Sequence, residues 1–332
     1  MKPIAARRID AALTYIVGVL LATTTVLGAS PPTAGTTRQA AAPPAAVKTF
    51  DSPQQAAAAL IEAADRFDTQ ALKQLFGPAA KDVIFTKEPA QDRQRAKEFV
   101  AKAREKENVS VDPKNRNRAI LLVGNQDWPF PAPIVKRRAK WSFDLTAGRR
   151  EILYRRIGAN ELDTIQVVLA YVDAQNEYAD KDRGDGVGAY AQRIISQPGK
   201  KDGLYWPSAA GEEQSPLGDL MADATSEGYQ PRGGAERTPY HGYYYKILTR
   251  QGPAAPGGVL DYVVKGKMIG GFGLVAWPAE YGNSGVMTFI VNHNGSVYEK
   301  DLGQRTAQVA SGMTAFNPDN TWKKVDASEL QQ

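Results

Sequence analysis

Asn160-Glu161-Leu162-Asp163-Thr164-Ile165-Gln166-Val167-Val168-Leu169-Ala170-Tyr171-Val172 is the stretch on which the fold reading turns. Leu162, Ile165, Leu169 and Val172 recur at helical spacing, Asn160 reads as the N-cap, and Glu161 and Asp163 suit the positive end of a helix dipole. The pattern predicts a helix from Asn160 to about Tyr178, closed by the acidic glycine loop of residues 180–188. After a turn-rich stretch, residues 196–237, come strand signals. Tyr243, Tyr245 and Ile247 alternate with outward positions, and residues 272–277 are β-rich between glycines. Residues 286–291 turn through Asn294-Gly295 into Val297-Tyr298, and Asn-Gly is the strongest short hairpin signal. A short helix is expected over residues 306–313. Together these predict an α+β fold with a central helix packed on an antiparallel sheet.

Upstream, the signals are helical. Ser52-Pro53-Gln54-Gln55 has the cap, the N1 proline and the N3 glutamine of a capping box, and opens an alanine-rich helix to about Asp65. Asp68 caps a second helix, which Gly77-Pro78 stops. A charged third helix is expected from Ala90 to Lys106; its apolar face is only Ala96, Phe99, Val100 and Ala103, which places it on the surface. Residues 119–123 read as a strand, and Ile134-Val135 with Trp141-Ser142-Phe143 as a hairpin around the basic turn at Arg137. The chain thus divides into a helical region, residues 50–118, and an α+β region, residues 119–332. The early helices bury too little apolar surface to fold alone, so one cooperative unit is expected.

The first residues carry an export pattern. Lys2, Arg7 and Arg8 precede an apolar run over residues 11–27 and small residues at Gly28-Ala29, so residues 1–29 read as a signal peptide. The run is shorter than the roughly 20 residues of a spanning helix, which favours cleavage over a retained anchor. Residues 30–49, rich in Ala, Pro and Thr, read as a disordered linker. A periplasmic or secreted protein with no membrane span after cleavage is the expectation. The absence of cysteine excludes a lipid-modified cysteine anchor and any disulfide, leaving core burial to hold the fold. Forty-one Lys and Arg against 36 Asp and Glu give a net charge of +5, too dispersed for nucleic-acid binding.

No complete catalytic constellation is present. The two histidines, His241 and His293, lack the helical spacing of a metal site. Asp180-x-Asp182-x-Gly184 starts like a calcium loop but lacks an acid at its fifth position and a closing glutamate. Neither metal nor cofactor is called for. Asp202, His241 and Glu280 are the candidate catalytic groups, with Glu161 a further carboxylate for a glycan-cleaving pair; acids in aromatic-rich turns otherwise serve as hydrogen-bond caps. Trp128, Tyr205, Trp206, Trp277 and Tyr281 form either a stacking platform for a glycan or peptide, or packing that ties loops to the sheet. Arg155 and Arg156 complete the binding candidates. The cramped Arg156-Ile157-Gly158 segment predicts that at least one of the pair is buried, with its fork on a carboxylate or on turn carbonyls.

Several blocks carry a family resemblance: Phe50-Asp51-Ser52-Pro53, Trp128-Pro129-Phe130-Pro131, Arg155-Arg156-Ile157-Gly158, Gly203-Leu204-Tyr205-Trp206, Trp277-Pro278-Ala279-Glu280-Tyr281-Gly282 and Tyr298-Glu299-Lys300-Asp301. Through them the chain resembles the bacterial domain-of-unknown-function 2950 family. That resemblance implies an exported bacterial protein and little more. The order of helix, Gly-Tyr strand and Gly-containing hairpin is also similar to the globular part of pilin-like and pseudopilin proteins. The expected function is a non-catalytic binding or scaffolding module in the cell envelope, with an envelope protein or a glycan as partner. The alternative is an envelope hydrolase of glycan or peptide that uses carboxylates and His241.

Overall fold

Ser52 caps the first helix as its sequence suggests. The computed structural model describes residues 47–326 apart from 79, 87, 210 and 227–237, so the signal-like segment and most of the linker lie outside the described residues. Ser52 Oγ accepts from the Gln55 amide at 3.2 Å and opens helix α1, Pro53–Asp65; the Gln55 side chain reaches one residue past the cap, accepting from the Asp51 amide at 3.1 Å. Asp68 Oδ1 accepts from the Gln70 and Ala71 amides, each at 3.0 Å, to start α2, Thr69–Phe76, and Gly77 ends it at φ +71°. The short α3, Ala80–Val83, and α4, Pro89–Glu105, follow. The outer face of α4 is charged and exposed as expected, but its first turn is not: Gln91 and Asp92 are buried there.

Five strands come next: β1 Glu107–Val111, β2 Arg118–Val123, β3 Trp128–Pro129, β4 Ile134–Arg137 and β5 Lys140–Phe143. They pair antiparallel in the order β1-β2-β4-β5, with β3 on β2. The hairpin of β1 and β2 straddles the division drawn from sequence between residues 118 and 119. Leu60, Leu75 and Phe76 from the helices meet Leu121, Ile134 and Phe143 from this sheet in one core.

The central helix corrects the sequence reading. It is α5, Leu145–Ala179, capped by Asp144, whose Oδ1 accepts from the Ala147 amide at 3.0 Å. Its 35 residues run about 52 Å, so Asn160 is an interior residue and not a cap. Its first half packs on the N-terminal core through Leu145 and Ile152, and its second half enters the other core through Ile165, Val168 and Tyr171. One rigid element therefore serves both halves.

After α6, Gly218–Ser226, the chain turns to short strands and one more α-helix. It forms β6 Tyr243–Leu248, β7 Arg250–Gln251, β8 Leu260–Asp261, β9 Val263–Val264, β10 Lys267–Met268, β11 Gly273–Pro278, β12 Met287–Asn292 and β13 Val297–Asp301. Then come α7 Thr306–Gly312, β14 Ala315–Phe316 and β15 Lys323–Lys324. The main sheet has the antiparallel order β15-β13-β12-β11-β6, with Ala276 opposite Tyr245 on one side and Phe289 on the other. Alternation along β11 sends Leu274 and Ala276 to the core shared with α5, and Val275 and Trp277 to a second core with Ala310 and Phe316. Both faces of β11 are thus covered, and all six of its residues are buried. The Asn294-Gly295 turn joins β12 to β13 with Gly295 at φ +69°. No described helix is long and apolar enough to cross a membrane.

Candidate functional site: an apolar groove beside a buried polar cluster

Trp128-Pro129-Phe130 crosses the N-terminal half where α4 and α5 diverge. Beneath it lies a groove of about 390 Å³. Buried Leu60, Leu72 and Phe76 form its base, and half-buried Phe99, Phe130 and Ile152 its sides. The rings are mutually packed, Phe99 on Phe130 at 5.4 Å and Phe76 on Phe130 at 6.2 Å between centroids. From Asp92 to Lys102 the groove follows α4 for ten residues, about 15 Å. At its outer end Trp128 is 46% exposed, with the Lys102 ammonium 5.2 Å from its ring centroid. Arg155 stands at the same rim. Its Nη1 donates to the Pro129 carbonyl at 3.0 Å and its Nε to Glu151 at 2.7 Å.

At the inner end the groove adjoins a polar cluster built around Arg156 and Asn160, one turn apart on α5. Arg156 is only 7% exposed. Its Nη1 donates to Asn283 Oδ1 at 2.6 Å, and its Nη2 donates to the Val83 carbonyl. Burial, then the nearby Arg95 charge, lower its pKa to about 10, against the pull of Asp92, Glu280 and Glu88, so it stays charged at neutral pH. Asn160, 1% exposed, accepts from Gln91 Nε2 at 3.1 Å and from an Arg95 nitrogen at 2.8 Å, and donates to the Ser284 carbonyl at 2.7 Å. Burial pushes the Asp92 carboxyl above the usual range, although it accepts from the Thr86 amide at 2.7 Å and the Thr86 hydroxyl at 2.9 Å. The cluster joins α3, α4, α5 and the 280–284 turn by directed bonds, which a buried polar site must have.

The candidate catalytic groups are only partly gathered. Asp202 sits in the loop beside the C-terminal end of α5, accepting from the Gln197 amide at 2.8 Å; the adjacent Lys201 carbonyl accepts from the Tyr178 hydroxyl at 2.9 Å. His241 faces Asp163, its Nδ1 3.2 Å from Asp163 Oδ2, in a left-handed turn at φ +49°. Asp163 and Tyr178 are fifteen residues apart on one helix, about 22 Å, so Asp202 shares no cleft with His241. Glu280 is nearer to His241, since the Ala279 amide donates to the Gly242 carbonyl at 2.8 Å. Glu280 itself accepts from Asn283 Nδ2 at 2.6 Å, and Glu161 Oε1 caps the Val286 and Met287 amides at 2.9 Å each. Both carboxylates serve turns and strand ends.

The aromatic and basic candidates divide likewise. Trp128, Arg155 and Arg156 meet at the groove. Tyr205 and Trp206 line a separate broad concavity of about 930 Å³ with Lys200 and Lys201. Trp206 is buried, donates to the Glu213 carbonyl at 3.2 Å, and has Arg183 and Lys201 each 5.4 Å from its ring. Lys201 first, then Lys181, hold the Glu213 carboxyl down at about 2. Trp277 is not a platform: at 3% exposure it belongs to the core under α7. Tyr281 donates to Asp301 at 3.0 Å, at the far side of the 280–284 turn. Asp182 accepts from the Gly184 and Gly186 amides at 2.8 and 2.9 Å, making the acidic loop a self-capped turn. Among the described residues no group of three or more His, Cys, Asp or Glu is placed to hold a metal.

Residues 47–325, which span both cores, the groove and the polar cluster, match the family described as protein of unknown function (DUF2950). The chain belongs to that family. No curated protein and no solved structure matches it. Within this DUF2950 chain, sequence reading named three residues that line the groove, Trp128, Arg155 and Arg156, without naming the groove itself. It missed the base, because Leu60, Leu72 and Phe76 look like any residues on the inner face of a helix.

Proposed function

We infer that this DUF2950 protein is an exported, non-catalytic binding module of the cell envelope, and that the groove is its ligand site. The observation that carries the reading is an open, largely apolar groove lined by Leu60, Leu72, Phe76, Phe99 and Phe130. Its volume, about 390 Å³, lies within the roughly 300–1,000 Å³ of small-molecule pockets. A ring-lined base with a few polar groups at the ends is the composition such pockets share. A glycan platform has less support, since Trp277 is in a core and Trp206 is covered by cations. The hydrolase alternative has less still, since Asp202 and His241 stand beside positions of α5 about 22 Å apart.

Two measurements test this. If the chain is exported with cleavage, mass spectrometry of the protein from the envelope fraction should show residues 1–29 missing; a full-length, membrane-embedded product would overturn that part. For the groove, the neutral probe N-phenyl-1-naphthylamine should bind one-to-one and brighten. Ala96→Trp, which fills the groove from α4, should abolish that signal while leaving the fold's circular dichroism unchanged. Equal probe binding by both proteins would remove the groove as the ligand site.

A further inference from the structure

We propose that the groove takes a single-chain amphiphile with a carboxylate head, the head seated at the Lys102–Trp128–Arg155 rim and the chain lying along Phe99, Phe130 and Phe76. This rests on the groove being a ligand site and adds the chemistry of its occupant. Two adjacent residues set the rim: Trp128 holds the Lys102 ammonium over its ring, and the Pro129 carbonyl holds Arg155. Lys102 comes from α4 and Arg155 from α5, so cations from two helices flank one mouth. Glu151 offsets Arg155, and Glu98 lines the groove one turn before Lys102, but Lys102 makes no ion pair or hydrogen bond among the described residues, so its ammonium remains available at the mouth. Arg155 Nη2 makes no hydrogen bond among the described residues either, so a donor remains for a carboxylate oxygen. The inner end offers no comparable seat for a head, because the Arg156 fork is already committed to Val83 and Asn283.

An amphiphile gains from both parts of this arrangement. Each methylene moved from water onto the Phe99, Phe130 and Phe76 surfaces favours binding. The head stays at the solvent edge, where Trp128 and Lys102 are exposed, and so keeps most of its hydration. A neutral head would use the apolar base equally well but gain nothing from Lys102, and a cationic head would be repelled.

The test is isothermal titration of the full chain, below the critical micelle concentrations, with dodecanoate, dodecyl maltoside and dodecyltrimethylammonium. Dodecanoate should bind most tightly and weaken as salt is raised. Lys102→Glu should weaken dodecanoate by about tenfold, removing one attraction and adding one repulsion, and leave dodecyl maltoside unchanged. Ala96→Trp should abolish all binding. If the three amphiphiles bind equally, or Lys102→Glu leaves dodecanoate unaltered, the carboxylate assignment falls and the apolar groove stands. If none binds while the naphthylamine probe does, the amphiphile is overturned alone; if the probe also fails, both readings fall.

Discussion

Arg156→Ala should destabilise the protein by about 3 kcal/mol or more, while Arg137→Ala changes stability by less than about 1 kcal/mol. The difference is one of burial. Arg137 is a hairpin residue with a side chain 71% exposed, and its ion pair with Asp144 at 2.8 Å is bathed in solvent. Arg156 is 7% exposed and donates to Val83 and Asn283, which belong to α3 and to the 280–284 turn. Truncating it strands the Val83 carbonyl and the Asn283 amide oxygen and removes one of the cations that act on Asp92, Glu88 and Glu280. Arg155→Ala should fall close to Arg137→Ala, because Arg155 lies on the exposed side of the same helix. Urea unfolding of the three variants checks this. Equal midpoints would show that the Arg156 fork holds nothing together, and would return it to the list of ligand-binding groups.

Two glycines of α5 should respond to alanine with opposite signs. In a helix interior Gly→Ala normally stabilises by roughly 0.5–1 kcal/mol, since alanine has less backbone entropy to lose. Gly158 should follow that rule, because a Cβ there meets nothing within 4 Å. Gly148 should break it. A Cβ at Gly148 would lie 2.6 Å from the Pro131 carbonyl oxygen and 2.7 Å from the Ala132 Cα, both backbone atoms that cannot swing aside. The helix or the Pro131-Ala132 segment must shift, and overpacking of this kind costs about 2 kcal/mol or more. At roughly 2–4 °C per kcal/mol for a domain of 150–250 residues, the melting temperatures should move apart by several degrees. A rise in both variants would mean that α5 does not press on the segment leading into β4, and the placement of its first turn would be wrong.

The sequence by itself determined what depends on neighbours within a few residues. The Ser52 and Asp68 caps, the stop at Gly77, the Asn294-Gly295 turn and the alternation along β6 and β11 are such features. Each is fixed by a hydrogen bond three or four residues long, by a glycine at positive φ, or by a period of two. A buried arginine was legible too, as a guanidinium written into a cramped segment, although its partners were not. Asn160 misled for the same local reason: an asparagine before acidic residues has the chemistry of a cap. Only the tertiary structure shows its amide bonded instead to Gln91 and Ser284, 69 and 124 positions away. Likewise β1 is an exposed edge strand whose sequence Glu107-Asn108-Val109-Ser110-Val111 is held by pairing with β2, and Trp277 is buried because α7 covers the second face of the sheet. The groove belongs wholly to that level. It exists because α1, α2, α4 and α5 meet the Trp128-Pro129-Phe130 segment without filling the space between them. A gap between side chains from five distant segments has no local signature, since packing depends on distances that no short window of sequence contains.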